Sequence, residues 1–284
     1  MQLHSFSGTD GTNPSALIQA ADGNFYGTTN TGGASDVGTI FRMTLAGTLT
    51  TLYVFNGTDG SSPSALIQTT DGNFYGTTSG GGTNGWGTVF KIMPTGLLTT
   101  LYSFDITNGN PSSGLIEATD GNYYGTTRLG GSNNSGTIFQ MAPGGSVTTL
   151  HSFDYSDGAY PGALVQGTNG GFFGTTFQGG AGNDGTVFLL DVPLSPQAQI
   201  AALQSRVKAL VSAGTFNGRL GQFLLSPLNE ALAALDSGHV PRTIRELVEF
   251  IDRVRLLVIL RRLTTAEGNT LIDAAESIIT PLRG

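Results

Sequence analysis

Asp22–Thr29 reads DGNFYGTT. The stretch returns as DGNFYGTT at Asp71–Thr78, DGNYYGTT at Asp120–Thr127 and NGGFFGTT at Asn169–Thr176, each copy starting 49 residues after the last. The segments GTIF (Gly38), GTVF (Gly87), GTIF (Gly136) and GTVF (Gly185) keep the same interval. Between them lie PSALIQ (Pro14 and Pro63), PSSGLIE (Pro111) and PGALVQ (Pro161). A closing segment follows as TTLYVF at Thr50, TTLYSF at Thr99 and TTLHSF at Thr148. Each repeat therefore holds four short runs rich in Thr, Phe, Tyr, Ile and Val, separated by the Gly, Asn and Asp that turns require. Four strands in a period of roughly 40–50 residues match the blade of a β-propeller. A sandwich or a β-solenoid is the alternative, although a solenoid coil of this length would carry fewer turn signals.

Named A to D in order, the four strands are present in the first three repeats, which end at Phe55, Phe104 and Phe153. The fourth has A near Ala163–Gln166, B at Phe172–Thr176 and C at Gly185–Leu190, then leaves through DVPLSP without a D strand. The missing segment stands at the other end, where Leu3–Phe6 reads LHSF, as Leu150–Phe153 does. Pairing Gln2–Phe6 with Gly185–Leu190 would complete a fourth blade, close the ring and remove an exposed sheet edge. The expected fold is thus a four-bladed β-propeller with N-terminal strand closure over residues 1–191, a linker over 192–196 and a helical bundle over 197–284. Two chains exchanging the same strand to build a larger ring is the alternative.

The second part changes period. Ser195-Pro196 reads as an N-cap followed by proline at the first helical position. Ile200, Leu203, Val207 and Leu210 then form one apolar stripe, stopped at Gly214. Ser226-Pro227 reads as the start of a second helix, ended by Gly238. Pro241–Arg262 makes the longest helix, and Thr264-Thr265-Ala266-Glu267 is a capping box before a fourth. Leu256, Leu257, Val258, Ile259 and Leu260 cover every face of the long helix. Burial on all sides is one reading. The other is that Leu256, Val258, Ile259 and Leu260 meet a second subunit or the propeller, giving a homo-oligomer.

Composition narrows the function. Residues 1–194 carry twelve acidic side chains against three basic ones, Arg42, Lys91 and Arg128, for a charge of −9; residues 195–284 carry ten basic against eight acidic, for +2, and together these give the net −7. An acidic repeat region is a poor partner for nucleic acid, whose phosphates need a basic footprint. The chain has no cysteine, so disulfides and thiolate metal sites are excluded. No run approaches the ~20 apolar residues of a membrane span. Met1 leads directly into repeat sequence, which suggests either a cytoplasmic protein or one whose leader has been removed.

Both parts resemble known families. DGNFYGTT with GTIFRM and GTLTTLYVF resembles the Gloeo/Verruco (GloVer) tandem repeat of bacterial surface proteins, over residues 1–191. It is also similar to the two-component-regulator propeller blade. LVSAGTFN, AALDSG, LVEFIDRV and LTTAEGNTLIDAAESII resemble the FIMAH-type helical domain at the ends of secreted bacterial proteins, over about 200–282. One departure is RLLVILRRLTT, which runs on as apolar residues where that domain is expected to break at Gly or Ser. The resemblance implies an exported bacterial protein, secreted or held at the cell surface, and it brings no catalytic motif.

Chemistry is expected on one face. The A–B and C–D turns are short and uniform, while the B–C and D–A loops are longer and differ between repeats. Trp86, Arg128, Tyr160, Phe177 and Asp184 stand out on the variable face, where aromatics among polar residues suit stacking on sugar rings or gripping a protein. Unselected loop drift on a structural ring is the plainer reading. Asp22, Asp71 and Asp120 suit capping of the A–B turns, a task Asn169 can share. Asp10, Asp59 and Asp157 feed the inner strands. Calcium is the cation such oxygen-rich loops would hold, but Asn108 replaces the acid in the third repeat and no EF-hand spacing appears. His4 and His151 take the position of Tyr53 and Tyr102 and read as packing. No Gly-x-Ser-x-Gly, His-Glu-x-x-His or phosphate loop is present. The expected function is a non-catalytic binding or scaffold module without a cofactor, with the helical part used for attachment or assembly. The alternatives are a structural subunit of an extracellular polymer and a carbohydrate-active enzyme working through axial loop carboxylates.

Overall fold

The computed structural model describes residues 2–167, 170–192 and 195–283. The chain divides into two compact units, residues 1–192 and 193–284. The first is all β. Its strands are β1 (Thr12–Gln19), β2 (Phe25–Thr31), β3 (Thr39–Met43) and β4 (Leu49–Val54) in repeat 1, then β5 (Ser61–Gln68), β6 (Phe74–Gly80), β7 (Thr88–Ile92) and β8 (Leu98–Ser103) in repeat 2. Repeat 3 holds β9 (Ile116–Glu117), β10 (Tyr123–Thr127), β11 (Thr137–Met141) and β12 (Val147–Ser152). Repeat 4 holds β13 (Ala159–Gln166), β14 (Phe172–Gln178) and β15 (Val187–Leu190). Each repeat is a separate antiparallel sheet with its strands in chain order: three sheets of four strands and one of three.

The sheets pack through the aromatics of the repeated motif. Tyr26 stacks on Phe74 at 4.1 Å, Tyr75 on Tyr123 at 4.6 Å and Tyr124 on Phe172 at 4.1 Å. The glycine of each FYGTT lies beneath a phenylalanine of the neighbouring strand; a Cβ at Gly125 would come within 2.6 Å of the Phe139 ring. Paired threonines at the end of the second and start of the third strand bond through their hydroxyls, as in Thr29–Thr39 at 2.9 Å and Thr78–Thr88 at 3.0 Å. These groups are fully buried, so the pairing offsets the cost of taking hydroxyls out of water.

Two features depart from expectation. Residues 2–7 form no strand, and β15 pairs with β14 alone among the described residues. The N-terminal strand closure is therefore absent within the chain. The N-terminal arm lies instead on repeat 1, with the Phe6 ring edge-on to Phe41 at 5.2 Å. Phe55 meets Phe90 and Phe104 meets Phe139 in the same way, so the arm takes the place of a D strand from a preceding repeat.

The second departure is in repeat 3, whose first strand shrinks to two residues. Asn13, Ser62 and Tyr160, each just before a proline, hold φ of 52°, 52° and 58°, and the strands shift register just after that proline. In repeat 3 the proline comes one place early, at Pro111. Its ring fixes φ near −65°, so the left-handed turn cannot form, and the regular ladder before Ile116 gives way to an isolated bridge between Pro111 and Thr127. Asn110 is left with a buried, unpartnered Oδ1.

The second unit holds α1 (Pro196–Ser212), α2 (Gly218–Asp236), α3 (Val240–Ile259) and α4 (Thr265–Leu282). Ser195 caps α1 through Ala198 N–H, and Thr264 with Glu267 forms the expected capping box. The core gathers Ile200, Leu203, Leu224, Leu228, Leu247, Phe250, Val254, Leu271 and Ile278. Ser226-Pro227 does not start a helix. α2 begins after Asn217, which caps Leu220 N–H, and runs through Pro227. Pro227 has no N–H for the carbonyl of Phe223 four residues back. Arg253 of α3 donates to that carbonyl instead, its guanidinium lying 4.6 Å from the Phe223 ring. α3 stops at Ile259, short of the expected Arg262, because the chain turns at Arg261 with φ 53°. Burial is one-sided there: Leu257 is in the core and Val258 packs against it, whereas Leu256, Ile259 and Leu260 are exposed.

Candidate functional site

The turns between first and second strands are held by their own aspartates and by the next repeat, whose Gln68, Glu117 and Gln166 accept the N–H of Ala21, Thr70 and Thr119. Asp22, Asp71 and Asp120 accept the N–H of Asn24, Asn73 and Asn122 and the hydroxyls of Tyr26, Tyr75 and Tyr124. The Asn24 side chain, with the Asn24 backbone and the Tyr26 hydroxyl, holds the Asp22 carboxyl below its ordinary range against the opposing effect of burial. Burial opposes the charge of Asp71 more strongly. Bonds from Thr69, Lys91 and Asn73 outweigh it and keep this group low as well. Asn169, the fourth member of this series, lies outside the described residues.

Loops of the opposite end are tied to each other. The N–H groups of Gly33, Gly82, Gly131 and Gly180, between second and third strands, donate to the carbonyls of Gly8, Gly57, Thr107 and Tyr155, each before a first strand. A second latch runs along each of the latter loops. Asp10 bonds His4 Nε2 at 2.8 Å, Asp59 accepts from the Tyr53 hydroxyl, Asn108 donates to the Tyr102 hydroxyl, and Asp157 bonds His151 Nε2 at 2.7 Å. The three aspartates weighed as calcium ligands are thus each engaged six residues back along their own loop. Among the described residues no group of three His, Cys, Asp or Glu side chains could hold a metal ion.

On these latched loops several divergent residues fall at the boundary between repeats 3 and 4. Arg128 follows β10 where repeats 1 and 2 have Asn30 and Ser79, and Phe177 takes the corresponding place in β14. Tyr160 replaces Asn13 and Ser62 at the left-handed position before the proline. Its N–H donates to Ser135 O across the repeat boundary, and its hydroxyl meets that of Tyr155 at 2.7 Å. Such a backbone costs a bulky residue about 1 kcal/mol or more and persists where surrounding contacts impose it. The Arg128 guanidinium lies 5.6 Å from the Tyr160 ring. Arg128, Tyr160 and the exposed Phe177 line one groove of about 370 Å³, with Ser112 and Thr175 supplying hydroxyls.

Trp86 lies elsewhere on the same end, in a groove with Ile106, Thr107 and the Ser132–Asn134 stretch. Asp184 is exposed and lines neither groove. The structure therefore brings together three of the five residues singled out in the sequence. It adds Tyr155, which meets Tyr160 and has no signature in the repeat.

The family model of the Gloeobacter/Verrucomicrobia repeat matches residues 1–188, two thirds of the chain and all four sheets. This chain belongs to the Gloeobacter/Verrucomicrobia repeat family. The match ends before the helical unit. No curated protein matches the chain. Among the described residues, no helix is long and apolar enough to cross a membrane.

Proposed function

We propose that the repeat unit is a propeller-type, non-catalytic recognition module of a secreted or cell-surface protein, which holds a glycan in the groove of Arg128, Tyr160 and Phe177. The observation that carries this reading is the groove itself. In a family member whose scaffold residues recur every 49 positions, a cation, an exposed ring and a strained, buttressed tyrosine meet at one repeat boundary. Aromatic faces stack on the C–H surface of sugar rings, while guanidinium and hydroxyl groups bond their hydroxyls. Loops latched to each other hold these groups in place before a ligand arrives, which lowers the ordering cost of binding. The helical unit, like the terminal domains it resembles, serves attachment or assembly.

A glycan array with the whole chain tests this. The ligand found should lose about tenfold or more in affinity with Phe177→Ala or Arg128→Ala, each worth 1–3 kcal/mol at a buried contact. Asp184→Asn should leave it unchanged. Binding untouched by either of the first two substitutions places recognition elsewhere.

A further inference from the structure

The contact between successive repeats uses the same positions each time. The stacked pairs Tyr26–Phe74, Tyr75–Tyr123 and Tyr124–Phe172 lie at its centre. Beside them Thr28, Thr77 and Thr126 donate hydroxyl bonds to the carbonyls of Ser64, Ser113 and Gly162 at 2.8–2.9 Å. Phe55, Phe104 and Phe153 also set their rings against Phe90, Phe139 and Phe188. One repeat supplies a rear surface and the next a front surface.

Two halves of this contact are left over. On the rear of repeat 4, Val187 is 81% exposed, whereas its counterparts Ile40, Val89 and Ile138 are at most 1% exposed. Phe173 is 39% exposed, against at most 3% for Tyr26, Tyr75 and Tyr124. Thr175 is exposed too, and among the described residues no carbonyl takes its hydroxyl. On the front of repeat 1, Leu17 is 51% exposed, against at most 4% for Leu66, Leu115 and Leu164. The N-terminal arm is already seated on that front as a D strand would be, and β15 lacks a D strand. Each leftover half thus carries the part that the other needs.

The geometry points to a head-to-tail junction between two copies of this chain, in which residues 2–6 of one copy run along β15 of the other and complete its fourth sheet. The register follows from the repeat. The pairs Thr137↔Ser152 and Ile138↔His151, carried one repeat onward, become Thr186↔Ser5 and Val187↔His4. The bond from Phe153 N–H to Gly136 O becomes one from Phe6 N–H to Gly185 O. Leu3, Leu17, Phe173 and Val187 enter the junction together, and an open strand edge is removed. The contact is heterologous, so copies close into a ring or continue as a filament, with the same junction in either case. It rests on the ends of the repeat array and not on the reading of the loop face, although Thr175 lines both.

The absence of native cysteine allows a direct test. His4→Cys and Val187→Cys chains, oxidised as a mixture, should give a covalent dimer that neither yields alone. Light scattering of the unmodified chain should show mass rising with concentration above one chain. Val187→Asp should abolish that rise while leaving the thermal melt of the dilute protein unchanged, since the side chain is exposed in the single chain. A chain that stays monomeric at every concentration overturns the junction. So does a double variant that cross-links only within itself at unchanged mass, which would mean that each chain closes its own ring. A mixture that gives no cross-link, beside association that Val187→Asp leaves intact, overturns it as well.

Discussion

Asp71 is the carboxylate on which most turn contacts converge. It accepts from Thr69, Asn73, Tyr75 and Lys91, with the Lys91 Nζ at 2.9 Å. Its folded pKa is lowered relative to the unfolded chain. The stability this contributes is therefore complete above the ordinary carboxylate range, near ~4, and is lost as pH falls through and below it. Asp71→Asn should cost about 1 kcal/mol at neutral pH, since the group is partly exposed, and should flatten the loss of stability below about pH 4. Denaturant melts at a series of pH values read both effects. Equal acid sensitivity in the variant would remove Asp71 from the acid response. The sequence pointed to this role, because Asp two residues before Asn in a tight turn has few other uses. It could not point to the tyrosine hydroxyl, which reaches the same carboxylate only once the second strand has formed.

At the level of elements, the proline in α2 is instructive. Ser-Pro at the head of an apolar stripe is a sound start signal, yet the helix passes through it. The reason lies on another element: Arg253 satisfies the Phe223 carbonyl that Pro227 leaves open. Replacing Arg253 by Met keeps most of the packing on Phe223 but removes the donor. It should destabilise the helical unit by about 1–3 kcal/mol, the cost of an unsatisfied carbonyl, with Arg253→Lys intermediate. A Met variant as stable as the parent would show that the proline site needs no outside donor. Strand positions were legible for the opposite reason. Each is dictated by neighbours within its own repeat, and the motif is written four times. The shortened strand of repeat 3 was not, because its cause is a single-residue shift of proline against a backbone angle.

Across the whole molecule, burial follows a residue's place in the series rather than its type. Ile138 and Val187 hold one repeat position, the former buried and the latter open. Ile138→Ala should cost about 2–5 kcal/mol, as core truncations do, whereas Val187→Ala should stay within about 0.5 kcal/mol in dilute solution. Equal losses measured by chemical denaturation would mean that the rear of repeat 4 is covered in the single chain. The expected closure of the ring came from the same spacing that revealed the repeats. Spacing says what a segment is built to pair with, but not on which molecule it finds it. Because the bonding between neighbours is unchanged by a shift of 49 residues, a coding sequence could gain or lose one full period anywhere inside the array. Every internal seam would survive such an event, and the two outer surfaces would be left as they were. Array length is free to drift in whole periods, while under the proposed recognition role selection would act on the few loop positions that break the repetition.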